Sequence, residues 1–354
     1  MKRDTATDGR PILRFDNGMQ VRLGNLYCGA FLALTAVLLA ALSVGIGTTR
    51  TGLSDLIAAL AGRALGQDEA FALHDVRLPR ILIGFMAGWL VALAGAMLQS
   101  LARNPLADPG LFGLSQGSMI LIMLLLVLVP GAPKAMIAPA ALLGGLAVAG
   151  LLIWLVGGER SGGLAILLMG IAVETVLSSL GSILILYTPS ETSFALSEWM
   201  AGSLFLASWG GIGLIAPWFL LSLPGAFLVG RALPGYELGD EMAMAIGEPV
   251  ARSRPAILLL AVALSAAAVT AVGPLMFLGV LAPHLAGFLS PAIGRARLFL
   301  SALAGGILIV AADALTRGLA GDMAMPLGLA LTVIGVPLFI LTLRLNALRR
   351  HRTS

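Results

Sequence analysis

Residues 77–118 read RLPRILIGFMAGWLVALAGAMLQSLARNPLADPGLFGLSQGS, from Arg77 to Ser118. A membrane-length apolar run is bracketed here by an arginine–proline entry and an Asn104-Pro105 to Asp108-Pro109 exit. A second stretch, Gly273 to Arg344, repeats the habit with Pro283, His284, Asp313 and Arg317 set among apolar residues. Polar, proline and glycine punctuation inside spans of this length points to a translocation path rather than to an anchor.

Composition agrees. Of 354 residues, 58% are apolar and 11% charged, with 44 Gly and 18 Pro. A soluble domain carries about 25% charged residues, so lipid is the solvent for most of this chain. The single cysteine, Cys28, excludes an intramolecular disulfide and a CxxC-type zinc site. No cofactor or metal site is expected. No basic patch is interleaved with aromatics, so nucleic acid is not an expected partner.

A membrane helix needs about 20 mostly apolar residues. Ten candidate spans follow, at 26–47, 79–101, 109–130, 135–157, 164–187, 208–229, 254–272, 275–289, 298–317 and 327–345. The eighth is short and holds Pro283, which suggests a tilted or incomplete crossing. The chain divides into a polar tail (1–25), a permease domain (26–345) that includes an inner loop at 230–253, and a basic tail (346–354). The tail is too long for a signal-peptide n-region, so span 26–47 reads as uncleaved. With the N-terminus inside, the outer segments hold Arg50, Arg63, Arg77, Arg80, Lys134 and Arg317, six of the 22 basic residues. The other 16 fall on the inner side, which puts both termini in the cytoplasm.

Two loops have character of their own. In 48–78, Leu53, Leu56, Ile57, Leu60, Ala64 and Leu65 form a helical stripe suited to an amphipathic helix on the outer surface. In 230–253, Leu238, Met242, Ala245 and Ile246 share a face with Asp240 and Glu241 elsewhere. That spacing predicts a cytoplasmic helical knob, either offered to a partner or resting on its own bundle. Within residues 77–118, Pro79 suits the first turn of a helix. Gly84, Gly88, Ala92 and Ala96 place small residues four apart for close packing in lipid, and Asp108 is a candidate N-cap for the next span.

These residues carry a resemblance. The runs Arg77–Arg80, Gly95-Ala-Met-Leu-Gln99, Arg103–Pro109 and Leu111–Gly117 resemble the FecCD-type permeases, membrane subunits of ABC importers for iron-siderophores, haem and cobalamin. Later pieces agree in order: Trp199–Ser203, Leu238–Gly247, Gly273–His284, Ala312-Asp313 with Arg317, Pro326–Gly328 and Gly335–Phe339. The resemblance covers about residues 30–345. It implies an all-α, cobalamin-importer-like (type II) permease of ten helices in the inner membrane. It also implies a second copy or paralogue, separate ATPase subunits, and a periplasmic binding protein that delivers an iron chelate, whether ferric siderophore or haem. A cobalamin importer of the same family is the alternative.

The resemblance assigns roles as well. Arg77, Arg80 and Arg317 match positions that receive glutamates of the binding protein; read without it, they are interfacial arginines, Arg317 having Asp313 one turn away. Leu238, Gly239, Asp240, Glu241, Ala245 and Gly247 match the segment that meets the ATPase. Glu174 is a carboxylate near the middle of a span, where charge is costly unless neutral, paired or wet. The family usually has a small or polar residue there, and the matching helix lines the path, making Glu174 and Ser178 translocation-path candidates. A protonated glutamate bonded to backbone or to Ser178 is the structural alternative. Ala324 stands where the family commonly has glutamate.

Two other classes are weighed. Gly113-Leu-Ser115-Gln-Gly117 matches Gly-x-Ser-x-Gly, but a nucleophile elbow needs a strand–turn–helix context. An ion-coupled secondary transporter would use Glu174 and Asp313 as carriers. The chain's two lysines, Lys2 and Lys134, follow no Gly-x-x-x-x-Gly pattern, so it lacks a P-loop and hydrolyses no ATP itself.

Overall fold

Helices account for most of the described residues. The computed structural model describes residues 2–6, 9–16, 18, 20–47, 51–63, 65–129, 131–133, 136–156, 163–188, 190–319 and 326–351. Ten helices take up the predicted spans: α1 (Leu23–Val44), α4 (Leu78–Ala102), α5 (Leu114–Leu128), α6 (Ile137–Val156), α7 (Gly163–Leu186), α9 (Trp209–Val229), α12 (Val250–Val272), α13 (Leu278–Leu289), α14 (Gly294–Leu319) and α15 (Leu327–His351). Eight are long and apolar enough to cross a membrane, and α5 and α13 are shorter apolar helices. Shorter helices lie between them: α2 (Leu53–Leu60), α3 (Gln67–Phe71), α8 (Ser190–Met200), α10 (Leu233–Leu238) and α11 (Asp240–Ala245).

Burial ranks the helices. The apolar stretch leading through α4 is 83% buried, whereas those of α1 and α9 are each 17% buried. So α4 is the axis of the bundle and α1 and α9 are its rim. The small residues of α4 explain its place. A Cβ on Gly88 would collide with the backbone carbonyl of Gly305 in α14, and one on Gly95 with the backbone of Gly279 in α13. Backbones that approach this closely gain dispersion contact that larger side chains would prevent.

The polar tail adds a three-stranded antiparallel sheet of β1 (Lys2–Thr5), β2 (Pro11–Arg14) and β3 (Gln20–Arg22), with Ile12 and Leu13 buried, to the all-α bundle. Three expectations are corrected. The helix expected over the 53–65 stripe stops at Leu60; α3 then runs through a π-helical turn, Ala72–Arg77, into α4. Asp108 caps the 3-10 turn Pro109–Phe112, its Oδ1 accepting from the Gly110 amide at 2.7 Å, and α5 starts after Gly113 at φ +71°. The inner loop breaks into two helices at Gly239, where φ is +111°.

The helix of the eighth span is short. α13 has 12 residues, about 18 Å of helix against a hydrocarbon core of about 30 Å. Its start packs against Gly95 and Gln99 in the second half of α4, after a non-helical Gly273–Phe277 stretch in which Phe277 takes φ +68°. Residues Ala64, Asp322 and Ala324 lie outside the described residues.

Candidate functional site

α4 and α14 pack side by side and carry a polar cluster at each end. Arg297 and Arg317 mark those ends on α14, 20 residues apart in the chain. At 1.5 Å per residue that is about 30 Å, the thickness of a hydrocarbon core.

At the outer end, with the N-terminus inside, Asp313 is 2% exposed and bound by two arginines. Arg80 Nε donates to its Oδ1 at 2.6 Å, and Arg317 Nε to its Oδ2 at 3.0 Å. Arg317 also donates to the carbonyls of Ser43 and Ile46 at the end of α1. Arg77, 4% exposed, donates to the carbonyls of Val44 and Thr51. Cationic groups at a helix C-terminus satisfy carbonyls that have no intrahelical partner. The three arginines are thus internal fasteners, not free side chains on an open surface. Together with Asp313 they form a group of four side chains in which positive charge is in excess.

The inner end is built around α10 and α11. Tyr236 of α10 is fully buried, its hydroxyl 2.7 Å from that of Ser253, and burial pushes its phenol pKa up. Asp240 pairs with Arg254 of α12. Ala243 faces inward, while Leu238, Met242, Met244 and Ile246 are 69, 49, 57 and 65% exposed. The predicted stripe, Ala245 included, points outward instead of resting on the bundle. Gly247, φ +88° with nothing near its Cβ position, closes α11 as a left-handed cap.

Sequence reasoning missed the network beneath this knob. Arg297 donates to Glu237 Oε1 at 2.6 Å, to the Ser100 hydroxyl at 3.2 Å and to Gln99 Oε1 at 2.9 Å. Ser100 donates to Glu237 Oε1 at 2.8 Å, and Gln99 Nε2 to the Gly279 carbonyl at 3.2 Å. The adjacent pair Gln99-Ser100 near the end of a 25-residue apolar helix was the available signal.

Glu174 sits mid-way along α7, half-buried beside the backbone of Gly113. Glu174, Thr175, Ser178, Ser179 and Ser182 fall in one arc of the helix, while Val176, Leu180 and Ile183 are exposed on another. The hydroxyls of Thr175, Ser179 and Ser182 satisfy themselves on carbonyls four residues back. The bond imagined between Glu174 and Ser178 is absent from the hydrogen bonds of the described residues.

Neither rival chemistry finds its geometry. Ser115 is a buried first-turn residue of α5 that follows a 3-10 turn rather than a strand. Asp313 is locked by two arginines and cannot serve as a cation carrier.

The sequence matches the FecCD transport family over residues 34–345. The Fe(3+)-citrate import system permease protein YfmE of Bacillus subtilis is 32% identical over 98% of this chain and 99% of its own length. The ferric enterobactin transport system permease protein FepG of Escherichia coli is 34% identical over 88% of this chain and 95% of its own. In fold, the chain is similar to a solved structure described as an inward-facing conformation of a metal-chelate type ABC transporter. The TM-score is 0.76 and the identity 24%, over 90% of this chain and 99% of that one.

Proposed function

The chain belongs to the FecCD transport family, and we propose from this premise that it is the membrane-spanning permease subunit of an ATP-driven importer for ferric chelates. The relatives named for ferric citrate and ferric enterobactin favour iron chelates over cobalamin, and neither is named for haem.

One observation carries the reading beyond membership: the apolar crown of the α10–α11 knob. Four large apolar side chains exposed together at the polar end of a membrane bundle call for a protein partner. ATPase subunits fit that place, since the chain has no phosphate-binding loop of its own. Leu238 to Gly247 is then the coupling segment, with Gly239 and Gly247 setting its turns and Asp240 and Glu241 at the start of α11. At the opposite end, the excess positive charge of Arg77, Arg80 and Arg317 over Asp313 suits acidic residues of a periplasmic binding protein. A second copy or a paralogue completes the path, with the Glu174 and Ser178 arc of α7 turned toward it. A carboxylate at this depth cannot face lipid without a cost of about 2.5–3.5 kcal/mol or more.

Proteoliposomes holding the permease, its ATPase subunits and its binding protein test this. They should accumulate radioactive iron from ferric citrate, ferric enterobactin or a ferric hydroxamate only when ATP is supplied on the knob side. ATP-independent uptake driven by a proton or sodium gradient would contradict it.

A further inference from the structure

The network at the inner end does more than fill space. Arg297 lies in the first turn of α14, Gln99 and Ser100 in the last turn of α4, and Glu237 on α10. Gln99 and Ser100 are 4% and 1% exposed, while Glu237 is partly exposed at the knob's base. Three elements therefore meet through one arginine, and the Gln99 amide extends the chain of bonds to Gly279. Gly279 is in the first turn of α13, the half-length helix that starts inside the bundle.

Among the described residues, ion pairs tie the knob to the helices at Glu237 and Asp240. Asp240–Arg254 ties α11 to α12, which follows it in the chain and would move with it. Glu237–Arg297 is different in kind: it reaches α4 and α14, distant in sequence, and leads to α13. A partly buried pair inside a satisfied hydrogen-bond network is stiff, because opening it strands a charge. At the receiving end, α13 is preceded by Gly273 at φ +74° and by Phe277 in the left-handed region, which is unfavourable for a residue with a side chain. A short helix entered through such a joint is the element that a pull on the Gly279 carbonyl reaches first.

We propose that Glu237 is the positioning residue that passes movement of the knob, through Arg297 and Gln99, to the first turn of α13. The inference rests on the importer reading and adds the route by which the ATPase end reaches the interior of the path. The hydrophobic crown receives the partner; the carboxylate behind it transmits.

The test uses the full reconstituted importer, with radioactive iron delivered as whichever of the three chelates the wild type accepts. A fluorophore at Met276→Cys, exposed just ahead of α13, in a Cys28→Ser background, reports movement of that element. In Glu237→Ala, iron moved per ATP hydrolysed should fall at least tenfold, and the ATP-dependent fluorescence change at Met276→Cys should vanish. Exchanging the charges, Glu237→Arg with Arg297→Glu, should recover at least a third of both, since Gln99 can donate as well as accept. Should Glu237→Ala fail to fold, the near-isosteric Glu237→Gln decides, with an expected loss of about threefold. Unchanged iron per ATP and unchanged fluorescence in the Ala variant, or in the Gln variant where it decides, overturn the inference. A loss that the charge exchange leaves wholly unrestored overturns it too. A wild type that never couples iron to ATP removes the importer reading and this inference together, whereas a coupled wild type beside an equally coupled variant removes this inference alone.

Discussion

Asp313 joins two arginines at one end of the α4–α14 pair. It is buried, bears two arginine contacts, and through Arg317 fixes the end of α1. Removing one partner of such a cluster costs about 3–5 kcal/mol, because an uncompensated charge stays behind. Asp313→Asn should therefore lower the thermal unfolding midpoint of the purified permease clearly, and Arg80→Gln should do so less, since Arg80 is more exposed than Arg317. Equal midpoints for wild type and Asp313→Asn would mean that the cluster is solvated. The basic residues were legible in the sequence, and so was the Asp313–Arg317 spacing. Their commitment to α1 carbonyls was not, because that depends on where a helix far earlier in the chain happens to end. If the excess charge also draws a binding protein, Arg80→Glu should weaken that association. The loss should shrink as salt rises and the Debye length falls below about 8 Å.

At the scale of elements, the close crossings decide which substitutions the bundle survives. Gly88 faces the Gly305 backbone, so Gly88→Val must push α4 and α14 apart. Gly150 on α6 has nothing within 4 Å of its Cβ position. Gly150→Ala should fold at wild-type yield, and Gly88→Val should be lost from the monodisperse peak in size-exclusion chromatography. Comparable yields would show that the α4–α14 seam is not tightly packed. The four-residue spacing of small residues in α4 was readable beforehand. So were the ten apolar runs, because lipid forces each to satisfy its own backbone in a helix. The N-terminal sheet was missed although Asp8-Gly9 and Asn17-Gly18 are hairpin dipeptides, and Gly9 and Gly18 do take φ +74° and +80°. As a sequence the tail reads only as polar, with no secondary structure assigned to it. The break at Gly239 was hidden because helical periodicity continues across it, and only the backbone reveals two short helices.

The whole molecule is a bundle with a basic cluster at one end and an apolar crown at the other, joined by the α4–α14 pair. If the uneven distribution of lysine and arginine sets the orientation, a cysteine at Ser54, exposed on α2, in a Cys28-free background should react with an impermeant thiol reagent applied outside. Labelling only from the cytoplasmic side would invert the scheme. In the proposed mechanism, partner ATPases act on the path through the knob. Ala245 lies on its outward face, so Ala245→Arg introduces bulk and charge without entering the core. Docking of loaded binding protein and its stimulation of ATP hydrolysis, measured on the same reconstituted complex, separate a broken interface from a broken fold. The Ala245→Arg complex should still dock the binding protein but no longer accelerate ATP hydrolysis in response. Full stimulation in that variant would contradict it.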